Sequence, residues 1–147
     1  MATTVVKTIG TGGDYTTLQA WEDACPASLV AVDQVWQGKV KNQEFSSASS
    51  LLTISGTTVD ATRYVELTTD TGASFRDNAS VRTNALRYNA ANGAALKYTG
   101  SWGAVISVNQ SYTRISKLQF SATGSNGHGV QIGQTSGSSY TVSDCIF

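Results

Sequence analysis

Residues 10–26, GTGGDYTTLQAWEDACP, begin with three closely spaced glycines and end at the only proline of the sequence. These glycines stand before a short amphipathic segment, as they would in a phosphate-binding loop. Such a loop also needs a Gly-x-x-x-x-Gly-Lys-Ser/Thr pattern, or a Gly-x-Gly-x-x-Gly unit between a strand and a helix. Gly10, Gly12 and Gly13 have neither that spacing nor the lysine. We therefore predict that these glycines form a tight turn before a helix.

Carboxylates are the next residues that could do chemistry. Glycoside hydrolysis needs two carboxyl groups that face one another at ~5–10 Å, and lyase chemistry needs a base beside a metal or a cationic side chain. Two arrangements would place an acid and a base on a common face: Glu66 with Arg63, and Asp144 near Lys117. Because solvent-exposed ion pairs contribute little to stability, we interpret these as surface pairs and predict no catalytic residue. The acids are Asp14, Glu22, Asp23, Asp33, Glu44, Asp60, Glu66, Asp70, Asp77 and Asp144.

Histidine and cysteine offer little further chemistry. His128 is the only histidine and lies in GSNGHGV, which predicts an exposed turn residue. One histidine cannot supply a metal-ligand set, and no Ser/His/Asp arrangement is visible, so we predict no metal and no cofactor. Cys25 and Cys145 are the only cysteines, and we interpret both as small buried apolar side chains, not as a disulfide framework.

Three aromatic residues lie close together in the sequence between positions 98 and 112. Tyr98, Trp102 and Tyr112 could stack on sugar rings, which would make this region a glycan-binding patch. The same residue types also cover cores and interfaces, because their rings bury a large apolar area. We favour the second interpretation.

Composition excludes several classes of partner. Only 14% of residues are charged, with ten acidic and ten basic side chains, so nothing favours nucleic acid or an anionic membrane. The opening Met-Ala-Thr-Thr lacks the basic and apolar regions of a signal peptide, and no run approaches the ~18 apolar residues of a membrane span. A chain of 147 residues is long enough for one domain with a buried core.

One clear helix is predicted among the elements that must position these residues. Thr16 followed by Gln19 fits a capping box, in which each side chain satisfies a free N–H of the first turn. Leu18, Trp21 and Cys25 share one face of the helix, which ends at the only proline after roughly two and a half turns. So short a helix is unstable alone. We therefore predict a lid whose apolar face packs onto the rest of the protein.

Almost everything after the helix predicts short strands between turns, including residues 28–40, 51–56 and 63–69. The segment ALRY at 85–88 returns as ALKY at 95–98, with a turn-like Asn-Ala-Ala-Asn-Gly between the copies. The duplication allows two interpretations. We predict two adjacent strands with matched Leu and Tyr rows, and the alternative is two successive sides of one solenoid coil.

The last third of the chain contains the most informative repeat. SYTRISKLQF, at 111–120, resembles SYTVSDCIF, at 139–147, and the alignment places Ile115 opposite Val142. Two such units, each with short strands and a polar bend, indicate a solenoid.

The same repeat predicts which side chains lie above one another. Upstream, Ile106 and Val108 align with Val130 and Ile132 at a slightly shorter spacing, and the Gly/Ser-rich linkers absorb the difference. Equivalent positions in adjacent layers would be ~4.8 Å apart. The predicted internal stacks are Phe120 over Phe147 and Leu118 over Cys145.

A resemblance to a known class is carried by KTIGTGGDYTTLQAWEDACPASLV (7–30), followed by TISGTTVDATRYVELTTDTGASFRDNASVRTNALRYNAANGAAL (53–96). These segments resemble the N-terminal region of right-handed parallel β-helix proteins of the pectin-lyase-like class, in particular those of phage and prophage virions. In that class a short helix after the Gly-Asp-Tyr turn covers the N-terminal end. The class includes lyases, esterases, tailspikes and structural proteins, so the resemblance implies a fold and no active site.

The resulting prediction is an all-β fold, a right-handed parallel β-helix with a short N-terminal capping helix. The single domain, 1–147, divides into an N-terminal strand and lid (1–30), first coils (31–100) and repeat-like coils (101–147). The predicted function is that of a structural component of a phage or virus-like particle, located in the virion as a tail, spike, fibre or capsid-decorating protein. Alternatives are the N-terminal part of a carbohydrate-active lyase, esterase or tailspike depolymerase, and a non-catalytic glycan-binding module.

The C-terminal segment predicts assembly. Phe147 follows an inward-facing strand, where a bare end would expose unpaired backbone groups and apolar side chains. We expect either a longer spike or a covering subunit, in a homotrimer or a larger virion structure. The expected partners are other virion subunits or further copies of the chain, with carbohydrate as an open alternative.

Overall fold

The structure is a computed structural model that describes residues 1–78, 87–133 and 139–147. Three α-helices lie in these ranges: α1 (Leu18–Asp23), α2 (Leu29–Val32) and α3 (Phe75–Asn78), with a 3₁₀ turn at Ala90–Asn92. The strands are β1 (Thr3–Ile9), β2 (Gln34–Val40), β3 (Glu44–Ser47), β4 (Leu52–Ile54), β5 (Val65–Thr69), β6 (Ala95–Tyr98), β7 (Gly103–Val108), β8 (Thr113–Ser116), β9 (Gln119–Ala122), β10 (Gly127–Ile132) and β11 (Tyr140–Ser143).

The strands form three parallel sheets. Sheet A has the order β1-β2-β5-β8-β11, sheet B the order β4-β7-β10 and sheet C the order β3-β6-β9. Most neighbours within a sheet are not consecutive in the chain, because their connections pass through strands of the other sheets. The core lies between the three sheets. Its largest fully buried side chains are Trp21, Phe120, Ile9, Leu18, Leu29, Leu52, Ile54, Leu67, Leu96, Ile106, Ile115 and Leu118.

The prediction of an all-β, right-handed parallel β-helix is wrong. The described residues form three separate sheets of five, three and three strands, and 13% of them are helical, which gives an α/β-like arrangement and not a solenoid. The physical reason lies in the connections of sheet A. The length of chain between paired residues changes from one pair of neighbouring strands to the next, so no constant repeat runs through the chain. The register pairs that show this are Thr3–Gln34, Trp36–Val65, Val65–Thr113 and Thr113–Tyr140.

The two alignments in the last third of the chain are confirmed as local strand registers. Ile115 in β8 pairs with Val142 in β11, as the repeat predicted. The upstream alignment is also present, because β7 pairs with β10 in the predicted register, Ile106 with Val130 and Val108 with Ile132.

The predicted aromatic stack is present at the surface. The rings of Phe120 and Phe147 are 5.1 Å apart at an interplanar angle of 12°. Phe120 is buried, whereas Phe147 is 70% exposed. The ring contact is therefore confirmed, but the prediction that the stack is internal is wrong.

The predicted pairing of 85–88 with 95–98 as adjacent strands is wrong for the described residues 87–88. Ala85 and Leu86 lie outside the described residues, and Arg87 and Tyr88 are not in a strand. Both edges of β6 are already paired, to β3 on one side and β9 on the other. The hydroxyl of Tyr88 instead donates a hydrogen bond of 2.7 Å to Glu44.

Helix α1 is present but begins and ends differently from the prediction. Its N-cap is Thr17, whose hydroxyl accepts a hydrogen bond of 3.1 Å from the backbone N–H of Ala20. The predicted capping box from Thr16 is therefore wrong, because the cap is the next residue, and the helix has six residues only. Leu18 and Trp21 are fully buried, which confirms the predicted apolar face. The next apolar position, Cys25, packs against the core while half-buried.

Candidate functional site

Helix α1 covers the outer edge of sheet B at β4. The side-chain oxygen of Gln19 accepts a hydrogen bond of 2.8 Å from the backbone N–H of Thr53. A carboxylate oxygen of Glu22 accepts one of 3.0 Å from the N–H of Ser55. Backbone N–H groups at a sheet edge bind other strands readily, so these two side chains occupy positions that a further strand would use.

Burial changes the ionisation of Glu22. Removal from water raises the pKa of its carboxyl group, and the hydrogen bond from the Ser55 N–H opposes that rise in part. The ionised form of Glu22 is therefore disfavoured by burial, although its carboxylate binds the backbone that α1 covers.

Trp21 fixes the lid to sheet A. A Cβ atom at Gly38 of β2 would lie 2.7 Å from Cε2 of Trp21, so the indole rests directly on the glycine backbone. The indole N–H of Trp36 donates to the carbonyl of Trp21 at 3.3 Å. A larger residue at position 38 would collide with the indole, so the glycine of β2 determines where α1 can pack.

At the opposite end of the sheets, the outer strands β10 and β11 are uncharged and partly exposed. Strands β10 and β11 are the outer strands of sheets B and A, and they contain no Lys, Arg, Asp, Glu or Pro. Ile132 is 43% exposed, Val142 is 37% exposed, and the exposed Phe147 ring lies against the backbone of Gly129. We call the surface formed by β10, β11 and Phe147 the open edge.

A polar groove of about 900 Å³ runs over the outer face of sheet A. Strand register brings outward-facing residues of β2, β5, β8 and β11 into rows on its floor, and the segment 70–77 forms its wall. Its lining contains no aromatic residue. The residues of this polar groove are Gln37, Lys39, Glu66, Thr68, Thr69, Asp70, Thr71, Gly72, Ser74, Arg76, Asp77, Ser116, Lys117, Ser143 and Asp144.

Several polar groups in the groove are already paired. Gln37 donates a hydrogen bond of 2.7 Å to Glu66, and the Ser116 hydroxyl donates one of 3.0 Å to Thr68. An ion pair of 2.8 Å joins Arg76 to Asp144 across the groove. The groove thus presents hydroxyl, amide, carboxylate and ammonium groups together, and it can donate and accept hydrogen bonds along its length.

The first predicted acid–base pair is wrong. Arg63 does not pair with Glu66; its guanidinium binds Asp33 and Asp60, each at 2.7 Å. Hydrogen bonds from the backbone and hydroxyl of Thr62 lower the pKa of Asp60 to about 2, and Arg63 adds to the effect. These three charged residues form a surface cluster at the start of β5, away from the polar groove.

The second predicted pair shares a surface, as expected, but with a different partner. Lys117 and Asp144 both line the polar groove, so the common face is confirmed. The ion pair of Asp144 is with Arg76, a residue that no sequence pattern selects. Carboxylates and cations therefore meet here as a solvent-facing network on a sheet surface.

The predicted aromatic patch does not exist as one surface. Tyr98 is buried, and its hydroxyl donates a hydrogen bond to the backbone carbonyl of Trp102. Trp102 itself is 77% exposed. Tyr112 instead lines a small pocket with Tyr64 and Arg114. The alternative of a glycan-binding patch therefore has no common surface here, because each ring belongs to a different environment.

The remaining candidates for chemistry are separate from one another. His128 is exposed, and it lies in strand β10, not in the predicted turn. Both cysteines are free and half-buried, and burial raises the pKa of Cys25 to about 11 and raises that of Cys145. Among the residues that the structure describes, no three His, Cys, Asp or Glu side chains are grouped as metal ligands.

Sequence reasoning missed one contact on the surface of sheet A. The guanidinium carbon of Arg114 lies 3.6 Å from the centroid of the Tyr64 ring. These residues are far apart in the chain, and only the pairing of β5 with β8 brings them together. No motif in the sequence marks that register.

Comparison with known proteins does not identify the chain. No family model, no curated protein and no solved structure matches it. The resemblance to pectin-lyase-like proteins of phage virions is therefore still a prediction. Within the described ranges, no helix is long and apolar enough to cross a membrane.

Proposed function

We propose that this chain is a structural component that acts by assembly, and that its open edge binds a second copy of the chain. The observation that carries the proposal is the contrast between the two ends of the sheets. Soluble proteins protect outer strands with charged residues, proline, bulges or a covering element. At one end, Lys7 lies in β1, Glu44 lies in β3, and α1 covers β4. The open edge carries none of these protections among its described residues.

A second copy suits the open edge better than a contact between opposite ends. Two identical edges can meet about a two-fold axis, where each strand pairs antiparallel with its counterpart and the interface closes. Both partners then present uncharged strands and the exposed side chains of Ile132, Val142 and Phe147. A head-to-tail contact would instead bring these side chains against the charged and covered end, where Gln19 and Glu22 occupy the backbone of β4.

Two variants test this function by solution molar mass, and thermal unfolding of each checks that the fold is retained, because Val142 is the cross-strand neighbour of the buried Ile115. Val142→Lys in β11 places a charge on the open edge, whereas Val6→Lys places one on β1 at a similar exposure, 37% against 45%. We expect the wild type and Val6→Lys to associate and Val142→Lys to be a monomer, because burying an unpaired lysine is costly. A wild type that remains monomeric at all concentrations, or equal association of both variants, contradicts the proposal.

The finer part of the proposal is that the assembly belongs to a phage or virus-like particle, as part of a tail, spike, fibre or capsid decoration. Support comes from the low charge content, 14% of residues, and from the resemblance of 7–30 and 53–96 to virion proteins. Proteomic analysis of purified particles from a culture that expresses the gene tests this placement. Peptides of the chain should co-purify with the particles, and their restriction to the particle-free fraction contradicts it.

The polar groove supports a second candidate function, that of a non-catalytic glycan-binding module. Its rows of hydroxyl, amide and charged groups match a ligand that both donates and accepts hydrogen bonds at many points. Glycan-array binding that is lost in Ser116→Val and kept in Ser46→Val, a serine of sheet C outside the groove, supports this candidate. Silence of the wild type on the array removes it, and release of oligosaccharides would show catalysis instead.

A further inference from the structure

A small pocket lies on the outer face of sheet A near the start of β8. Its volume is about 130 Å³. Tyr64 precedes β5, Tyr112 precedes β8, and Arg114 and Thr141 are cross-strand neighbours on β8 and β11. The full lining is Ala61, Tyr64, Tyr112, Thr113, Arg114, Ser139 and Thr141. We call it the Arg114 pocket. It lies outside the residues that line the polar groove.

Arg114 is the cationic group of this pocket and has no acidic partner there. Among the described residues, its guanidinium takes part in no ion pair. Glu66 is its cross-strand neighbour in β5, but that carboxylate accepts a hydrogen bond from Gln37 instead. The neighbouring Arg63 is fully engaged by two aspartates. Arg114 is therefore a charge without a counter-ion in the described part of the chain.

The aromatic contact leaves the hydrogen-bonding edge of Arg114 free. At 3.6 Å from the Tyr64 centroid, the guanidinium lies over the face of the ring. Cation–π attraction acts through the face of the ring, while the N–H groups of a guanidinium lie in its own plane. The stack therefore restrains the side chain without using its donors. A pre-positioned guanidinium loses less conformational entropy when it binds a planar anion.

The opposite side of the pocket is also held in place. Tyr112 has a positive φ of 49°, a left-handed conformation that is uncommon for a bulky residue. Its carbonyl accepts a hydrogen bond of 3.3 Å from the N–H of Val65, which ties this strained position to β5. Tyr64 is tied to β2 in the same way, through a hydrogen bond of 3.0 Å from the N–H of Trp36 to its carbonyl. Both tyrosines are thus anchored to sheet A beside Arg114.

We propose that the Arg114 pocket binds a carboxylate group. The two oxygens of a carboxylate match two parallel N–H groups of a guanidinium, which is the strongest common geometry for this pair. Ser139 and Thr141 also line the pocket, and hydroxyl groups can donate further hydrogen bonds to a carboxylate. The proposal concerns outward-facing side chains of sheet A and not the pairing of strand edges, although Thr141 belongs to β11 of the open edge.

A titration with acetate, followed by NMR of the Arg114 side-chain Nε–H, tests the proposal. We expect a saturable shift with acetate and none with acetamide, which has the same shape and no charge. In Arg114→Lys the charge is kept and the paired donors are lost, so binding should weaken about tenfold. Arg87→Lys, at an exposed arginine outside the pocket, should bind acetate as the wild type does. Methanesulfonate distinguishes a planar carboxylate from anions in general and should bind more weakly than acetate.

A further variant separates binding from a merely structural role of Arg114. Glu66→Gln removes the neighbouring negative charge and should leave acetate binding unchanged or make it tighter. The proposal is overturned if acetate and acetamide shift the signal equally, if Arg114→Lys binds as tightly as the wild type, or if Glu66→Gln abolishes binding. Thermal unfolding of each variant checks that the fold is retained.

Discussion

Trp21 is the residue on which the covered end of the protein depends. Its ring is fully buried and rests on Gly38 with Ile9 beside it, while its carbonyl accepts the indole N–H of Trp36. Such a contact is possible only because β2 has no side chain at that position. The apolar spacing in the sequence was enough to select Trp21 as a core residue. The glycine that receives it could not be selected, because nothing local marks which glycine faces a helix.

Replacement of Trp21 by alanine should be strongly destabilising. The loss of a fully buried indole removes its burial and leaves a cavity above Gly38, which together cost about 3–5 kcal/mol in free energy of unfolding. Trp102→Ala is the matched control, since its ring is 77% exposed and should change stability by less than about 0.5 kcal/mol. Urea unfolding measures both. Equal midpoints for the two variants would mean that α1 does not act as a lid.

The N-cap of α1 could not be identified from the local sequence alone. Thr16 and Thr17 are adjacent and carry the same side chain, so either can accept a hydrogen bond from the first turn. The choice is made by tertiary contacts, because Gln19 is bonded to Thr53 and is not free to complete a capping box. A sequence pattern places the helix, but it does not decide between two equivalent caps.

At the scale of elements, the lid works by placing side chains of a helix on the edge of a sheet. Two acceptors on α1, from Gln19 and Glu22, bind the N–H groups of Thr53 in β4 and of Ser55 directly after it. A helix of six residues is unstable alone. Its stability therefore depends on these contacts and on the buried face. This dependence makes the lid sensitive to the ionisation of Glu22.

Stability should depend on pH through Glu22. Because burial raises its pKa in the folded state, the folded protein binds the proton more tightly than the unfolded chain, and protonation favours folding. The contribution is present at low pH and is lost as pH rises through the folded pKa, in a window that begins near the ordinary value of 4.5. Relative to Glu22→Gln, the wild type should gain stability as pH falls from neutral into this window.

Chemical denaturation of the wild type and Glu22→Gln at a series of pH values measures that difference. Asp77→Asn controls for a general effect of removing one negative charge, because Asp77 is exposed and does not contribute to the pKa of Glu22. A difference between wild type and Glu22→Gln that does not change with pH, or that moves in the opposite direction, would contradict the burial of this carboxyl group.

The pairing of elements was predictable only where the sequence repeats. The registers of β7 with β10 and of β8 with β11 were recoverable, because the paired segments resemble one another closely enough to align. The register of β5 with β8 was not, since the long intervening chain carries no matching pattern. Both the Arg114 pocket and the polar groove are lined by residues from the two sides of this strand pairing. This is why neither could be assembled from motifs.

At the scale of the whole molecule, the two ends of the sheets differ in chemistry. Charged residues and α1 protect the outer strands at one end, whereas the open edge presents uncharged strands and an exposed phenylalanine. The repeat in the last third suggested a regular solenoid throughout. That extrapolation was wrong, because the earlier connections differ in length and contain helices. The expectation that this protein assembles rests on the edge chemistry, which does not require a regular repeat.

Hydrogen–deuterium exchange at increasing protein concentration tests the central claim most directly. If two copies meet at the open edge, exchange at the backbone amides of β10 and β11 should slow as concentration rises, because those amides become paired or buried. Exchange at β1, the outer strand at the covered end of sheet A, should stay the same. Protection that rises at β1 instead, or that is independent of concentration at β10 and β11, would contradict the account.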